Sequence, residues 1–187
     1  EPTLAVDSAG HLHVLFTKQF MENYEIYHVM YAEGSWTLPI NVAHTSGVST
    51  EPALAAGKDG RLHATWMDDT PGYPIIYSAN WSDSTQWSGF VWRNQPIPYG
   101  RGQSPAIAVA QDETIFLAWQ DLVPTSDNPT GFSNIFLSEW QEDSWSLPIN
   151  ISDREDVDAE EVSITTTADG LAHLVWIEDT RSIRYDF

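Results

Sequence analysis

One segment recurs along the chain and sets the spacing of everything around it. Ser35–Val42 reads Ser-Trp-Thr-Leu-Pro-Ile-Asn-Val, returns almost unchanged as Ser144–Ile151, and has a shorter copy at Gln86–Val91. The tryptophans of successive copies are 51 and 58 residues apart. A period of about 50 residues is typical of propeller blades and solenoid units. The chain therefore reads as a repeat protein.

Aligning the three copies brings four repeats into register. The inner strands are predicted at Pro2–Val6, Pro52–Ala56, Pro105–Val109 and Val162–Thr166. The second strands are predicted at Leu12–Phe16, Leu62–Trp66, Ile115–Trp119 and Ala172–Trp176. These second strands are mainly apolar on both faces, which predicts burial between two neighbouring sheets. Turns rich in Asp and Gly join the two strands of each repeat.

This pattern predicts an all-β fold, a β-propeller of four-stranded antiparallel blades. The Trp-containing segment is the outer edge strand, where a proline is tolerated. We expect a single segment with blades at about 1–50, 51–103, 104–160 and 161–187, the last without its outer strand. The chain would hold about 3.75 blades of a larger propeller, so further blades or another chain would cover its open end faces.

Charge and composition exclude some partners. Among 187 residues, 8 Lys and Arg stand against 27 Asp and Glu, a net charge of −19. A field of this sign repels nucleic acid and anionic membranes. The sequence contains no cysteine, and no stretch approaches the roughly 20 apolar residues of a membrane span, so we expect no membrane insertion. Because it starts at Glu1 inside a strand pattern, we expect a processed or excised piece.

The recurring segments resemble a known family. Pro-x-(Leu/Ile)-Ala-Val, the Asp-x-x-Gly turn, Leu-His-Val-x-Trp, Ile-Tyr and Gly-x-Trp-Ser-x-Pro are similar to the sialidase-like, BNR-type β-propeller repeats of bacterial secreted and surface proteins. The resemblance implies a secreted or cell-surface location. Asp59–Trp66 contains the residue types of the family's Asp-box at a different spacing. Because propellers have many unrelated activities, the resemblance implies the fold more strongly than a function.

An acidic residue follows the aromatic end of three second strands. These residues are Asp68, Asp121 and Glu178, the last with Asp179 beside it, and Lys18 takes the place in the first repeat. They open the loop to the third strand, so we expect them on one propeller rim. They either cap the loop by accepting backbone N–H groups or form a ring that binds cations or sugar hydroxyls.

Aromatic side chains in the loops of the same rim are candidates for ligand binding. Tyr24, Tyr73 and Phe132 lie in or beside segments that differ between repeats. Variable loops on a fixed scaffold often determine binding specificity. The rings would either stack on sugars or cover the ends of the hydrophobic layers.

Histidines and arginines give no catalytic assignment. His13, His63 and His173 occupy one second-strand position, and Phe116 takes it in the remaining repeat. Such recurrence is typical of packing, since a catalytic base would appear once. The arginines do not occupy equivalent positions, so the three-arginine carboxylate clamp of a sialidase is not assigned and its catalytic residues remain unknown.

An acidic segment precedes the fourth repeat. Asp156, Asp158 and Glu160 place carboxylates at alternate positions, a spacing that could bind Ca²⁺. The alternative is a solvated linker, and no other cofactor is expected.

The sequence favours a non-catalytic extracellular binding module whose partner is a glycan or a protein. Two alternatives stay open: a fragment of a sialidase-like glycoside hydrolase or lyase with catalytic residues partly outside this chain, and a structural assembly component.

Overall fold

A computed structural model describes residues 1–82, 86–87, 101–141, 144–179 and 182–187 of the chain. In these ranges the regular elements are all β-strands, and their pairings are antiparallel. No helix in the described ranges is long and apolar enough to cross a membrane. The predicted all-β class is confirmed.

The chain divides into two compact units, Glu1–Arg93 and Asn94–Phe187. In the first unit, one sheet contains β1 Pro2–Val6, β2 Leu12–Phe20, β3 Asn23–Ala32, β4 Ser35–Trp36 and β5 Ile40–Asn41. The other sheet contains β6 Ser49–Ala56, β7 Leu62–Asp68, β8 Ile75–Ser82 and β9 Gln86–Trp87. Successive strands lie side by side as a meander, which is the strand order predicted for a blade.

The second unit repeats this design. Its first sheet contains β10 Gln103–Val109, β11 Ile115–Val123, β12 Phe132–Gln141, β13 Ser144–Trp145 and β14 Ile149–Asn150. Its other sheet, within the described residues, contains β15 Ala159–Thr166, β16 Ala172–Glu178 and β17 Ser182–Asp186 in that order. The inner strands β6, β10 and β15 begin one or two residues ahead of the predicted blade starts. These four sheets confirm the predicted propeller blades.

The turn between the first two strands is the same in all four sheets. In the first sheet the N–H of Asp7 donates to the carbonyl of His11, and the N–H of Gly10 donates to the carbonyl of Asp7, both at 3.0 Å. Equivalent pairs of bonds form at residues 57–61, 110–114 and 167–171. The fourth position of the turn has a positive φ in each sheet, which glycine adopts without steric cost. The shared hydrogen bonds therefore support the repeat alignment.

The Trp-containing segment forms two short strands, where the sequence predicted one. Both β4 and β5 pair with β3, and both β13 and β14 pair with β12. The proline between them has no N–H to donate, so the ladder is interrupted there. Trp36 lies opposite Tyr31 and Trp145 opposite Trp140, but Trp36 is 54% exposed and Trp145 9%. Residues 88–91 of the second copy lie outside the described part of the chain.

Within each unit, the inner strand of one sheet packs on the face of the sheet before it. β6 contacts β1, β2 and β3, and β15 contacts β10, β11 and β12. A buried cluster fills the latter interface, with Ala118, Ile135, Val162, Leu174 and Trp176 among its members. Burial of apolar surface between sheets is the main stabilising contribution here, at about 25 cal/mol per Å².

The second strands differ in how completely they are buried. β7 and β11 are buried on both faces, as predicted, whereas β2 and β16 alternate between buried and more exposed residues. Apolar side chains on the first and fourth sheets are correspondingly exposed, including Leu4, Val6, Ile183 and Phe187. The predicted covering of these faces by further blades or another chain stays a prediction.

Three inner strands carry an irregularity that the sequence reading missed. The β6–β7 pairing shifts register between Thr50 and Ala53, and equivalent shifts occur in the third and fourth sheets. Within each shift one residue that is not glycine has a positive φ: Glu51 at 55°, Ser104 at 47° and Glu161 at 55°. Bulges of this kind bend a strand and change the direction of its side chains.

Candidate functional site

The three acidic residues that were expected either to cap a loop or to form a binding ring are buried. Asp68, Asp121 and Glu178 are 0%, 1% and 5% exposed. Asp68 accepts hydrogen bonds from the hydroxyls of Thr45 and Ser49 and from the N–H of Thr70, each at 2.8 Å. Its hydrogen bonds connect residues 45–49 to the loop that begins after β7, as expected for a carboxylate that caps a loop.

Glu178 is also held by its own sheet. It accepts hydrogen bonds from the indole N–H of Trp176 at 3.2 Å and from Nε of Arg184 at 2.9 Å. Asp179 beside it is exposed, has a φ of 51°, and donates its N–H to the carbonyl of Asp158 at 3.1 Å. A buried acid satisfied in this way stabilises the strand end, which is in line with the loop-cap alternative; binding of a ligand by these acids stays a prediction.

Asp121 combines a structural role with a place in a groove. One of its carboxylate oxygens accepts the N–H of Arg101 at 3.1 Å and the N–H of Leu122 at 2.8 Å. It also lines a groove of about 310 Å³ in the second unit. The residues lining this groove are Arg101, Gln103, Gln120, Asp121, Leu122, Thr130, Gly131, Ser133, Asp158 and Glu160. We call it the Arg101 groove.

Backbone hydrogen bonds fix the polar side chains of the Arg101 groove. Gln120 accepts the N–H of Glu161 at 3.3 Å, and Asp158 accepts the N–H of Ser133 at 2.8 Å. Gln103 and Glu160 border the bulges of their inner strands, where the register shifts. The groove thus places carboxylate and amide side chains along β10, β11 and β15, together with the exposed Arg101 and with Thr130 and Gly131 of the loop between β11 and β12.

A second groove, of about 650 Å³, lies in the first unit. Its lining residues are Phe20, Met21, Glu22, Asn23, Glu25, Thr45 and Ser46. Burial raises the pKa of Glu25, and a hydrogen bond from the N–H of Thr45 opposes that rise. The exposed Phe20 and Met21 give this groove an apolar edge.

The predicted aromatic residues divide between the two units. Tyr24 and Tyr73, in the first unit, are 44% and 48% exposed. Phe132 begins β12 in the second unit, is half-buried, and lies between Gly131 and Ser133 of the Arg101 groove. Their proposed stacking on a ligand stays a prediction.

The predicted Ca²⁺ ligands are not gathered at one point. Asp156 pairs with Arg154, with oxygen-to-nitrogen distances of 2.9 and 3.2 Å. Asp158 and Glu160 line the Arg101 groove without Asp156. In the described residues, the group of three ligand atoms close enough to hold a metal is elsewhere. Ca²⁺ binding by these three acids would therefore require them to move.

That group is Asp7, His11 and His13, which the sequence reading did not bring together. From the sequence, Asp7 was placed in a turn and His13 in the packing of a second strand. The pattern that indicates the group is Asp-x-x-x-His-x-His, which occurs in the first repeat and not in the other three. Burial alone would raise the pKa of Asp7, but hydrogen bonds from the backbone and ring of His11 and from His13 lower it to about 2. Burial lowers the pKa of His13, and that of His28 to about 4.

The arginines that the structure describes do not form a visible clamp. Arg61, Arg154 and Arg184 pair with Asp59, Asp156 and Glu178, respectively. Arg101 lines its groove, while residues 93 and 181 lie outside the described ranges.

No protein-family model matches the chain, and a search of curated proteins found no match. Solved structures do share its fold. A protein of unknown function from Dyadobacter fermentans is 15% identical, with 99% of this chain and 64% of that one covered and a TM-score of 0.73. An α-L-arabinofuranosidase from Fusarium graminearum is 14% identical, with coverages of 100% and 60% and a TM-score of 0.71. An intramolecular trans-sialidase from Ruminococcus gnavus is 14% identical, with coverages of 98% and 42% and a TM-score of 0.59.

These likenesses show the β-propeller fold, and the structures include glycoside hydrolases and sialidase-like proteins. The predicted resemblance is thus confirmed at the level of the β-propeller fold, and the sialidase-like, BNR-type assignment stays a prediction. The chain spans less than two thirds of each of the three proteins described above. At these identities the similarity establishes fold alone.

Proposed function

We propose that the chain binds a neutral oligosaccharide in the Arg101 groove as an extracellular carbohydrate-binding module. The observation that carries the proposal is the set of side chains lining the groove, which includes Arg101, Gln103, Gln120, Asp158 and Glu160. A sugar hydroxyl is both donor and acceptor. Carboxylates accept hydrogen bonds, a guanidinium group donates them and a side-chain amide does both. The groove can therefore form hydrogen bonds with neighbouring sugar hydroxyls. The glycosidase-like fold of the chain supports a carbohydrate ligand.

The charge of the groove favours a neutral glycan over an acidic one. Asp121, Asp158 and Glu160 outnumber Arg101 there, and the whole chain has a net charge of −19. A sugar carboxylate or sulfate would meet repulsion on approach. The resemblance to secreted propellers supports the extracellular location in this proposal.

A glycan array that includes neutral and acidic oligosaccharides tests the proposal, followed by calorimetry on the hits. We expect binding to neutral glycans and an affinity at least tenfold lower for Arg101→Ala, since the exposed guanidinium contributes about 1.4 kcal/mol or more. Arg61→Ala is the matched control, because Arg61 is an exposed arginine in the turn of another sheet. An array without neutral binders, or equal affinities of Arg101→Ala and the unchanged protein, would overturn the proposal.

Glycoside hydrolysis is a second candidate function of the same groove. The reaction uses a pair of carboxyl groups that flank the scissile bond, and Asp121, Asp158 and Glu160 all line the groove. Release of reducing ends from a neutral polysaccharide, abolished by Glu160→Gln with binding retained, would favour hydrolysis. Binding without turnover would favour the non-catalytic module.

A further inference from the structure

The turn between β1 and β2 gathers three metal-ligating side chains. Oδ2 of Asp7 lies 2.9 Å from Nδ1 of His11 and 3.2 Å from Nε2 of His13. All three atoms lie within 4.8 Å of one another. A tetrahedral zinc ion with bonds of about 2.0–2.2 Å separates its ligand atoms by about 3.3 Å. Two of the three separations already differ from this value by a few tenths of an ångström, and the third, within 4.8 Å, has to shorten by at most about 1.5 Å for the side chains to share an ion.

Surrounding hydrogen bonds hold two of the three groups in this orientation. Oδ1 of Asp7 accepts the N–H of Ala9 at 2.9 Å and the N–H of His11 at 2.8 Å, which turns Oδ2 towards the imidazoles. Nδ1 of His13 lies 3.0 Å from Nε2 of His28. A hydrogen bond on the far nitrogen of an imidazole, and one on the far oxygen of a carboxylate, is the support that metal ligands usually have.

The other three repeats serve as internal comparisons. They form the same turn with the same backbone hydrogen bonds. The residues at the three positions are Gly57, Arg61 and His63 in the second sheet, Ala110, Thr114 and Phe116 in the third, and Thr167, Leu171 and His173 in the fourth. The turn therefore forms without the triad. Of the three positions, only the one equivalent to His13 is taken in every sheet by a ring side chain, His or Phe, that packs in the second strand. His11 is an addition that the turn does not need, whereas Asp7 accepts the N–H of His11 as Asp59 and Asp112 accept the N–H of Arg61 and Thr114 in their sheets.

We propose that Asp7, His11 and His13 form a Zn²⁺-binding site at the turn between β1 and β2. Two imidazole nitrogens and one carboxylate oxygen match the ligands that zinc prefers, and water would supply a fourth. His13 is fully buried and Asp7 nearly so, while the His11 side chain is 37% exposed and leaves the site open to solvent. The strongly negative chain also attracts cations.

Calorimetric titration of the EDTA-treated chain with ZnCl₂ tests the proposal, together with Co²⁺ absorption as a report of tetrahedral coordination. We expect saturable uptake of one equivalent by the unchanged protein. In His11→Thr the affinity should fall at least tenfold, because a ligand is lost. Threonine occupies the same place in the third sheet at Thr114, so this substitution preserves the turn.

The control is His44→Ala, which removes an exposed histidine outside the triad and should leave zinc affinity unchanged. Zinc should also raise the melting temperature of the unchanged protein and of the control, and at the same zinc concentration it should raise that of His11→Thr less. The absence of saturable uptake, or equal affinities in His11→Thr and the unchanged protein, would overturn the proposal. Equal circular dichroism spectra without zinc establish that the variant is folded.

Discussion

The carboxylate of Asp121 accepts the backbone N–H of Arg101 at 3.1 Å, so a buried acid on β11 holds the segment that carries an exposed arginine. The same oxygen accepts the N–H of Leu122. A single carboxylate oxygen thus links the segment just before β10 to β11. The acid positions the groove as well as lining it.

Replacing Asp121 with alanine should lower the free energy of unfolding by about 1–3 kcal/mol, because two backbone donors lose their acceptor. Urea denaturation measures the change. Asp127→Ala is the matched control, since Asp127 is exposed in the loop after β11; we expect it to change stability by less than about 0.5 kcal/mol. Equal effects of the two substitutions would show that the Asp121 hydrogen bonds contribute little.

Gly131 in the Arg101 groove is constrained twice. Its φ is 84°, and a Cβ added there would lie 2.8 Å from the backbone carbonyl of Val123. Gly131→Ala should therefore lower the free energy of unfolding by about 1–2 kcal/mol for the left-handed conformation and by about 1–3 kcal/mol more for the clash.

Gly170→Ala separates these two contributions. Gly170 has a φ of 89° but open space around it, so only the conformational cost applies. We expect the urea midpoint of Gly131→Ala to fall clearly below that of Gly170→Ala. Coinciding midpoints would mean that the loop from Val123 to Gly131 shifts to accommodate the methyl group.

The fold could be predicted from the sequence because its signals are local. Asp and Gly at the turns, apolar second strands and the repeated Trp segment each specify a strand or its end, and their period specifies the repeat. The two short outer strands also follow from a rule visible in the sequence, since the proline between β4 and β5 cannot donate a hydrogen bond.

The candidate site could be predicted only in part, because it depends on distances that no repeat reveals. Asp68, Asp121 and Glu178 were identified as a recurring acid, but burial and local donors decide what each carboxylate does. The bulges lie at Glu51 and Ser104, and neither residue type favours a positive φ. The amino-acid sequence therefore does not predict them. Asp121, Asp158 and Glu160 share one groove because β11 and β15 pack together.

Glu113 occupies a turn position that glycine fills in the other three sheets. Its φ is 68°, against 85°, 80° and 89° for Gly10, Gly60 and Gly170. A left-handed residue that is not glycine costs about 1–2 kcal/mol, and the greater freedom of glycine in the unfolded chain offsets about 0.4–1 kcal/mol of that.

Glu113→Gly should consequently raise the free energy of unfolding by about 0.5–1 kcal/mol, measured by urea denaturation. Gln111→Gly, in the same turn, is the control and should not stabilise the chain. A loss of stability in Glu113→Gly would indicate that other interactions of the Glu113 side chain outweigh its backbone strain.

His63 should make the stability of the chain depend on pH. Burial lowers its pKa from the ordinary value of 6.5, and the hydrogen bond from its Nδ1 to Oδ1 of Asn80 raises it only in part. The unfolded chain therefore binds the proton first as the pH falls. The stability due to neutral His63 is complete above about pH 6.5 and decreases below it, by about 1.4 kcal/mol for each unit by which the pKa is lowered.

His63→Phe tests this dependence with a residue that the fold already accepts, because Phe116 occupies the equivalent place in the third sheet. We expect the difference between urea midpoints at pH 7.5 and pH 5.0 to be smaller in the variant. It should not vanish, since His13 and His28 also have lowered pKa values. His44→Gln removes an exposed histidine and should retain the full difference. If His63→Phe retains it as well, protonation of His63 does not destabilise the sheet, and its imidazole must find a partner that compensates for burial of the charge.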